Sequence, residues 1–344
     1  MKIAMFDSKE YDINSFNRYF SNRDDIKIKY LEPKLNEDTV SLAKGYDAIC
    51  IFVNDIVNKQ VVDKLCEFGI KTILLRSAGY NNVDLKACFG KIHVYHVPAY
   101  SPYAVAEHAF ALLLTSTRRI HKAYNRIKEY NFSLNNLTGF DLHGKTIGVI
   151  GTGKIGRAFI NIALGFGLKV LAYDKFPAEI NNVKYVSLDE LYANSDIISL
   201  HCPLTDDTFH LINEDAIKKM KKGVTLINTS RGALIDSEAL LKYIKLRHIG
   251  AACLDVYEEE GDIFYEDKSN HIMNDNNLLQ LIAMPNVLIT SHQGFLTNEA
   301  LDNIAEATLN NALSSLKEEI SQNELCYRCG EEKNCQKNRN KRCF

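Results

Sequence analysis

Three side chains in the second half of the chain could together reduce a carbonyl compound: Arg231, Glu260 and His292. A guanidinium binds a carboxylate through directional, often bidentate hydrogen bonds. An imidazole titrates near working pH, so it can give a proton to a carbonyl oxygen as hydride reaches the carbon. A neighbouring carboxylate favours and orients the protonated imidazole. The three residue types predict a site that binds a 2-keto acid, with His292 as the proton donor.

A hydride donor is indicated by Gly151, Gly153 and Gly156, which have the spacing of a dinucleotide-binding fingerprint. A β-branched run precedes them and a helix-compatible run follows, so the pattern predicts a strand, a tight turn and a helix. Asp174 lies 18 residues beyond Gly156, where a carboxylate can bind ribose hydroxyls and repel a 2′-phosphate. The pattern therefore favours NAD over NADP, although the adjacent Lys175 could instead attract a phosphate.

Each of these residues also has an ordinary structural explanation when it is taken alone. Arg231 could be a surface cation, Glu260 part of a solvated acidic run, and His292 a histidine beside a helix. His201 is the nearest competitor among the other histidines, and we expect it to order the loop that follows it. The functional interpretation depends on all three residues following successive strands of one sheet.

Short apolar runs alternate with helix-like segments along the whole chain, which predicts an α/β protein with parallel sheets. Ligands bind outside the carboxyl ends of such strands, so the three side chains are expected at one rim. The predicted strands are 2–6, 26–30, 48–53, 72–75, 92–97, 146–150, 169–173, 197–200, 225–228, 251–254 and 287–290. The main predicted helices are 58–68, 102–130, 154–166 and 298–320.

From residue 1 to about 325 the chain resembles the D-isomer-specific 2-hydroxyacid dehydrogenase family. The motifs that carry the resemblance are 75–84, 97–108, 151–156, 201–205, 228–236, 255–258 and 292–297. The resemblance implies two doubly wound parallel-sheet domains. A Rossmann NAD-binding domain (101–296) would be inserted in a flavodoxin-like substrate, or catalytic, domain (1–100 and 297–325), with a cleft between them. The helix from Pro102 would supply a subunit interface of a dimer or tetramer.

The resemblance also implies roles for individual residues. Arg231 would bind and polarise the substrate, Glu260 would pair with the histidine, and His292 would be the acid and base. Substrate-binding positions would be the backbone N–H groups of Ala78 and Gly79, then Tyr100, Arg231 and Phe295. Cofactor-binding positions would be Gly151, Gly153, Lys154, Ile155, Gly156, Asp174, Cys202, Pro203, Thr208, Thr229, Ser230, Arg231 and Asp255. Thr208 stands where related enzymes often have asparagine.

The activity that the resemblance implies is the reversible reduction of pyruvate to D-lactate, with hydride from nicotinamide C4 and a proton from His292. Bulkier 2-keto acids are an alternative substrate class. Formate-dehydrogenase relatives are disfavoured, because the carboxylate of Glu260 stands where they use an amide. An alternative from another functional class is a non-catalytic NAD(H)-sensing scaffold, similar to the transcriptional corepressors that share this fold.

Composition sets the broad class of the protein. Its 344 residues suffice for about two domains, and contents of 46% hydrophobic and 24% charged residues are those of a globular protein. The net charge of −2 implies no attraction to nucleic acid or an anionic membrane. The N-terminal apolar run is too short for a signal peptide and segment 104–117 too short to span a bilayer. These observations predict a cytoplasmic protein.

Residues 326–344 form a basic tail outside the resemblance. It carries Cys326, Cys329, Cys335 and Cys343. Four thiolates can bind zinc, but the second pair is more widely spaced than in standard zinc motifs. A structural metal and a flexible or redox-sensitive extension both stay open, and no metal is expected at the catalytic site.

Overall fold

A computed structural model describes residues 1–328 and residue 344. These residues form two compact units. The first unit consists of Met1–Ser101 and the described residues from Leu296 onward, and the second is Pro102–Phe295. Within the described part of the chain, no helix combines the length and apolarity needed to cross a membrane.

The regular elements alternate as the sequence predicts. The strands are β1 (Lys2–Met5), β2 (Lys27–Tyr30), β3 (Ala48–Ile51), β4 (Thr72–Leu75), β5 (His93–Tyr95), β6 (Thr146–Ile150), β7 (Lys169–Tyr173), β8 (Val183–Tyr185), β9 (Ile197–Leu200), β10 (Val224–Asn228), β11 (Ile249–Leu254), β12 (Val287–Ile289) and β13 (Glu324–Leu325). The α-helices are α1 (Glu10–Phe20), α2 (Lys59–Glu67), α3 (Leu85–Cys88), α4 (Pro102–Thr117), α5 (Ile120–Lys128), α6 (Lys154–Gly165), α7 (Leu188–Asn194), α8 (Glu214–Lys219), α9 (Ser237–Lys245), α10 (Asn276–Ala283) and α11 (Asn298–Leu316).

The first unit contains a six-stranded sheet in the order β13-β5-β4-β3-β1-β2. All neighbours pair in parallel except β13, which runs antiparallel to β5. The order 2-1-3-4-5 of its first five strands is the flavodoxin-like doubly wound order. Every residue of β3 and β4 is buried, as expected for strands covered on both faces. The final helix ends at Leu316 rather than at the predicted residue 320, and β13 was not predicted.

The second unit contains seven parallel strands in the order β12-β11-β10-β9-β6-β7-β8. Counted from β6, this is the Rossmann order 3-2-1-4-5-6 with one further strand at the edge. The prediction of six strands missed β8. This edge strand has three residues, none of them buried, so it lacks the apolar run by which a central strand is recognised.

The predicted long helix at 102–130 is two helices, α4 and α5, so that prediction was wrong. Arg119 lies between them with a left-handed φ of 56°, which no continuous helix permits. The backbone crosses the end of α4 at Gly139, where an added Cβ would lie 2.0 Å from the carbonyl oxygen of Thr117. Arginine is a good helix former, so local composition gives no signal of the break.

The start of the tail packs on the first unit. Cys326 is buried, and the ring of Tyr327 lies 4.9 Å from that of Phe89. The ring of Phe344 stacks on His93 at 4.3 Å. Three of the four clustered cysteines (Cys329, Cys335 and Cys343) lie outside the described residues. Among the residues that the structure does describe, no three potential metal ligands converge.

Candidate functional site

The glycine-rich turn between β6 and α6 gives each glycine a different task. Gly151 has a φ of 95°, and a Cβ there would lie 2.5 Å from the carbonyl carbon of His201. A Cβ at Gly156 would lie 2.0 Å from the carbonyl oxygen of Gly151. A Cβ at Gly153 would meet nothing within 4 Å. The open space lies at the N-terminus of α6, where backbone N–H groups and the helix dipole favour a phosphate.

Asp174, immediately after β7, is held beside this turn. Its Oδ2 accepts hydrogen bonds from the N–H (2.6 Å) and hydroxyl (3.0 Å) of Thr152, and its Oδ1 accepts one from the N–H of Phe176 at 2.9 Å. Burial raises the pKa of Asp174, but these hydrogen bonds outweigh burial and hold that pKa below its usual value. A carboxylate that stays charged suits the recognition of ribose hydroxyls.

A cavity of about 650 Å³ joins the glycine turn to Asp174. Six of the predicted cofactor-binding residues line it: Gly151, Gly153, Asp174, Cys202, Pro203 and Thr208. Lys154, Ile155 and Gly156 begin α6 at the same turn. Glycines that leave room for a pyrophosphate, a charged acid and a cavity fit a dinucleotide such as NAD.

The ends of β10 and β11 carry the other predicted cofactor residues. Asn228 organises the turn after β10: its side-chain amide donates to the carbonyl of Arg231 at 2.8 Å and accepts from the N–H of Ser230 at 3.1 Å. The hydroxyl of Thr229 is buried and has no hydrogen-bond partner among residues 1–328. The guanidinium of Arg231 donates to the carbonyl of Ser230 at 2.7 Å, which uses one of its five N–H groups.

The structure brings His292 and Glu260 together. Nδ1 of His292 lies 2.7 Å from Oε1 of Glu260, and Oε2 of Glu260 accepts a hydrogen bond from the N–H of Tyr257 at 2.8 Å. A carboxylate only accepts, so Nδ1 carries the hydrogen of this bond and Nε2 is the nitrogen left to exchange a proton. The two side chains are only 18% and 20% exposed.

His292 itself has a left-handed φ of 52°, and its backbone is fixed on both sides. Its N–H donates to the carbonyl of Asp255 at 2.7 Å, and its carbonyl accepts from the hydroxyl of Tyr265 at 3.0 Å. The ring of Tyr265 also lies 6.5 Å from that of Phe295, which is buried. These contacts set the direction of the imidazole.

Asp255, predicted as a cofactor contact, is saturated by hydrogen bonds within the second unit. Its Oδ1 accepts from His108 Nε2 (3.1 Å), the hydroxyl of Thr290 (2.5 Å) and the N–H of Gln293 (2.9 Å), and its Oδ2 from the N–H of Gly294 (2.8 Å). Burial raises the pKa of Asp255, but the bonds from His108 and Thr290 outweigh burial and hold it low. These hydrogen bonds indicate that Asp255 holds the backbone at residues 292–294, next to the imidazole of His292.

Sequence reasoning missed His108 and Thr290. A signal for His108 did exist, because Glu107 and His108 interrupt an otherwise apolar helix-like segment. A histidine in such a segment needs a polar partner once the helix packs, and Asp255 is that partner. Thr290 follows β12 directly and gave no separate signal.

In the first unit, the predicted substrate-binding loop follows β4. The N–H groups of Ala78 and Gly79 donate to no protein acceptor within residues 1–328. Nδ1 of His96 lies 2.9 Å from the carbonyl oxygen of Ala78, and the hydroxyl of Ser77 donates to the carbonyl of Gly79 at 2.8 Å. Two unsatisfied N–H groups on a braced loop can bind an anion. The backbone of Tyr100 is held by α11, because the side-chain amide of Asn303 donates to the carbonyl oxygen of Tyr100 at 2.5 Å.

Comparison with known proteins gives consistent matches. Residues 110–294 match the family described as D-isomer specific 2-hydroxyacid dehydrogenase, NAD binding domain. The D-lactate dehydrogenase of Escherichia coli is 48% identical over 333 residues, which cover 94% of this chain and 100% of that protein. An aromatic 2-oxoacid reductase of Clostridium sporogenes is 45% identical, over 90% of this chain and 95% of that protein. The solved D-lactate dehydrogenase of Aquifex aeolicus, complexed with NAD and lactic acid, is 34% identical with a TM-score of 0.80, covering 92% of this chain and 96% of that one.

Proposed function

Because the chain belongs to the D-isomer specific 2-hydroxyacid dehydrogenase family, we propose that it is a D-lactate dehydrogenase that reduces pyruvate to D-lactate. It is an NAD-dependent oxidoreductase. The observation that carries the proposed role of the site is the 2.7 Å contact between His292 and Glu260. It leaves Nε2 of His292 to exchange a proton with a substrate.

NADH, when bound, supplies a hydride to the carbonyl carbon of the substrate. The N–H groups around Gly153 at the start of α6 would hold its pyrophosphate, and Asp174 its adenine ribose. Cys202, Pro203 and Thr208 would line the adenosine side of the same cavity. Thr229 and Ser230 follow β10 directly and would contact the cofactor from that strand end.

His292 would act as the acid and base of the reaction. The protonated imidazole keeps one hydrogen on Nδ1 for Glu260 and presents the other from Nε2 to the carbonyl oxygen. That proton moves to the oxygen as the oxygen gains negative charge, so the keto acid takes up one hydride and one proton. In the reverse direction, neutral Nε2 accepts the hydroxyl proton of the 2-hydroxy acid.

The remaining substrate contacts follow from the chemistry of the groups. Arg231 would bind the carboxylate and polarise the carbonyl. The unsatisfied N–H groups of Ala78 and Gly79 would donate to the carboxylate. Tyr100 and Phe295 would limit the room for the substrate side chain.

A second candidate is a reductase of bulkier 2-keto acids, which the similarity to the Clostridium sporogenes aromatic 2-oxoacid reductase favours. NADH oxidation with pyruvate, phenylpyruvate and 2-ketoisocaproate separates the two. The proposal expects the highest kcat/KM with pyruvate and D-lactate as product. A preference for phenylpyruvate would support the second candidate. NADH binding without turnover of any keto acid would instead support a non-catalytic NAD(H) sensor.

The proposed enzyme would be a homo-oligomer. On α5, Ile120, Tyr124 and Ile127 recur at helical spacing and are each more than half exposed, and Phe132 and Leu134 beyond it are 70% and 80% exposed. Several exposed apolar side chains in one segment are typical of a subunit interface. Replacing Leu134 with Asp should lower the mass measured by light scattering. The same change at Ile272, which is 91% exposed outside this segment, should not.

The cytoplasm is the proposed location. Six described cysteines are free thiols, as is usual where glutathione keeps thiols reduced. Fractionation of cells with an antibody to the chain tests this proposal. Recovery with secreted proteins would refute it.

A further inference from the structure

An ion pair lies beside the ribose-binding acid. Nζ of Lys175 is 2.8 Å from Oδ2 of Asp207, and both residues line the same cavity as Asp174. Their side chains are 69% and 74% exposed, so the pair lies where the cavity opens to solvent. Lys175 follows Asp174 in sequence, whereas Asp207 comes from the loop after β9.

The position of Lys175 raises a problem for cofactor choice. NADPH differs from NADH by a phosphate on the 2′-hydroxyl of the adenine ribose, the group that Asp174 is placed to bind. A lysine adjacent to Asp174 would attract that phosphate and so oppose its repulsion by the aspartate. Asp174 also accepts three hydrogen bonds from Thr152 and Phe176, which partly offset its charge. With an unpaired Lys175 beside it, Asp174 would therefore discriminate less well between the two cofactors.

We propose that Asp207 is a specificity-determining residue, which strengthens the discrimination against NADPH by holding Lys175 in an ion pair. A 2′-phosphate would have to displace Asp207 from Lys175 and would approach two carboxylates rather than one. Arg157 is another nearby cation, but a hydrogen bond already holds it, because its Nε donates to the carbonyl oxygen of Thr152 at 3.1 Å. This inference needs the NAD site alone and does not depend on the proposed 2-keto acid.

The test measures the Kd of NADPH and of NADH by the fluorescence of the bound cofactor, without turnover. Asp207→Asn keeps the shape of the side chain and removes its charge. NADPH should bind about two- to five-fold more tightly to this variant, the range that an exposed ion pair supplies. The Kd of NADH should improve by less than that of NADPH, because NADH lacks the 2′-phosphate that the freed Lys175 would bind. The gain should shrink as salt is added, because exposed charges are screened.

Two further variants make the test specific. Asp206→Asn removes the same charge from the neighbouring residue, which lies outside the cavity lining, and should leave NADPH binding unchanged. Lys175→Ala combined with Asp207→Asn should abolish the gain, because the freed cation is then missing. The proposal is overturned if Asp207→Asn leaves the Kd of NADPH unchanged. It is equally overturned if the double variant or Asp206→Asn gains as much as Asp207→Asn.

Discussion

Nε2 of His108, on α4, lies 3.1 Å from Oδ1 of Asp255, and the same oxygen accepts the hydroxyl of Thr290 at 2.5 Å. The other carboxylate oxygen of Asp255 accepts a hydrogen bond from the N–H of Gly294, and the backbone carbonyl of Asp255 accepts one from the N–H of His292. A single buried carboxylate therefore links α4 to the segment that carries the proposed acid. Loss of one hydrogen-bond donor to Asp255 should therefore lower both the free energy of unfolding and the turnover.

Replacing His108 with Leu should lower the free energy of unfolding by about 1–3 kcal/mol, because a buried carboxylate loses a hydrogen bond. Turnover should fall as well, since the backbone of His292 is held through Asp255. His108→Gln can place an amide donor near the position of Nε2 and should restore most of both. Urea unfolding and kcat check the pair of variants. Wild-type stability and turnover in the His108→Leu variant would show that the contact between His108 and Asp255 contributes to neither.

His292→Ala should reduce kcat by about 10²–10⁴, the range usual for general acid–base groups, while NADH still binds. Glu260→Gln should also reduce kcat, because the imidazole loses its charged partner. Glu258 provides a matched control, since it forms a similar pair with His210 at 2.5 Å outside the proposed site. Glu258→Gln should keep wild-type turnover. Reduction of pyruvate at the wild-type rate by the His292→Ala variant would rule out His292 as the acid and base of the reaction.

The second cofactor prediction concerns Asp174. Replacing Asp174 with Ala should narrow the gap in kcat/KM between NADH and NADPH, because the ribose hydroxyls lose their acceptor and a 2′-phosphate loses a repelling charge. Steady-state kinetics with both cofactors measure the gap. Equal use of NADH and NADPH by the unmodified protein would refute the assignment of Asp174.

His201 should make stability depend on pH. Burial lowers the pKa of His201 to about 3, whereas an unfolded histidine titrates near ~6.5. The unfolded chain thus binds more protons below that pH, so stability should fall as pH drops from about 6.5 toward about 3. The slope should be at most about 1.4 kcal/mol per pH unit. Urea unfolding at pH 7 and pH 5 should show this loss, and His201→Gln should lack it.

The tail should matter for stability more than for turnover. Removal of residues 329–344 keeps every residue of the proposed site and retains Tyr327, which packs on Phe89, so pyruvate reduction should stay within a few-fold of the full chain. Truncation after Leu325 removes these contacts and should lower the melting temperature further. Elemental analysis of the full chain determines whether a metal is present. Loss of all turnover in a folded shorter chain would contradict this division.

Much of the site was predictable because strands and glycines leave local signals. Glu260 and His292 are 32 residues apart in sequence, yet they follow β11 and β12, which are paired neighbours. Parallel strand ends meet at one edge, so sequence order sufficed to bring them together. The link from His108 to Asp255 was not predictable in this way. It depends on which face of α4 packs on the sheet, and that is a property of the tertiary structure.

The arrangement of β13 beside β5 has a consequence for synthesis. The first unit needs α11 and β13 from the end of the chain, where Asn311 donates to the carbonyl of His96 and Glu324 lies 2.6 Å from His93. The second unit is continuous in sequence, from Pro102 to Phe295. On the ribosome, the nucleotide-binding unit can therefore finish folding while the first unit, begun earlier, still waits for its edge strand.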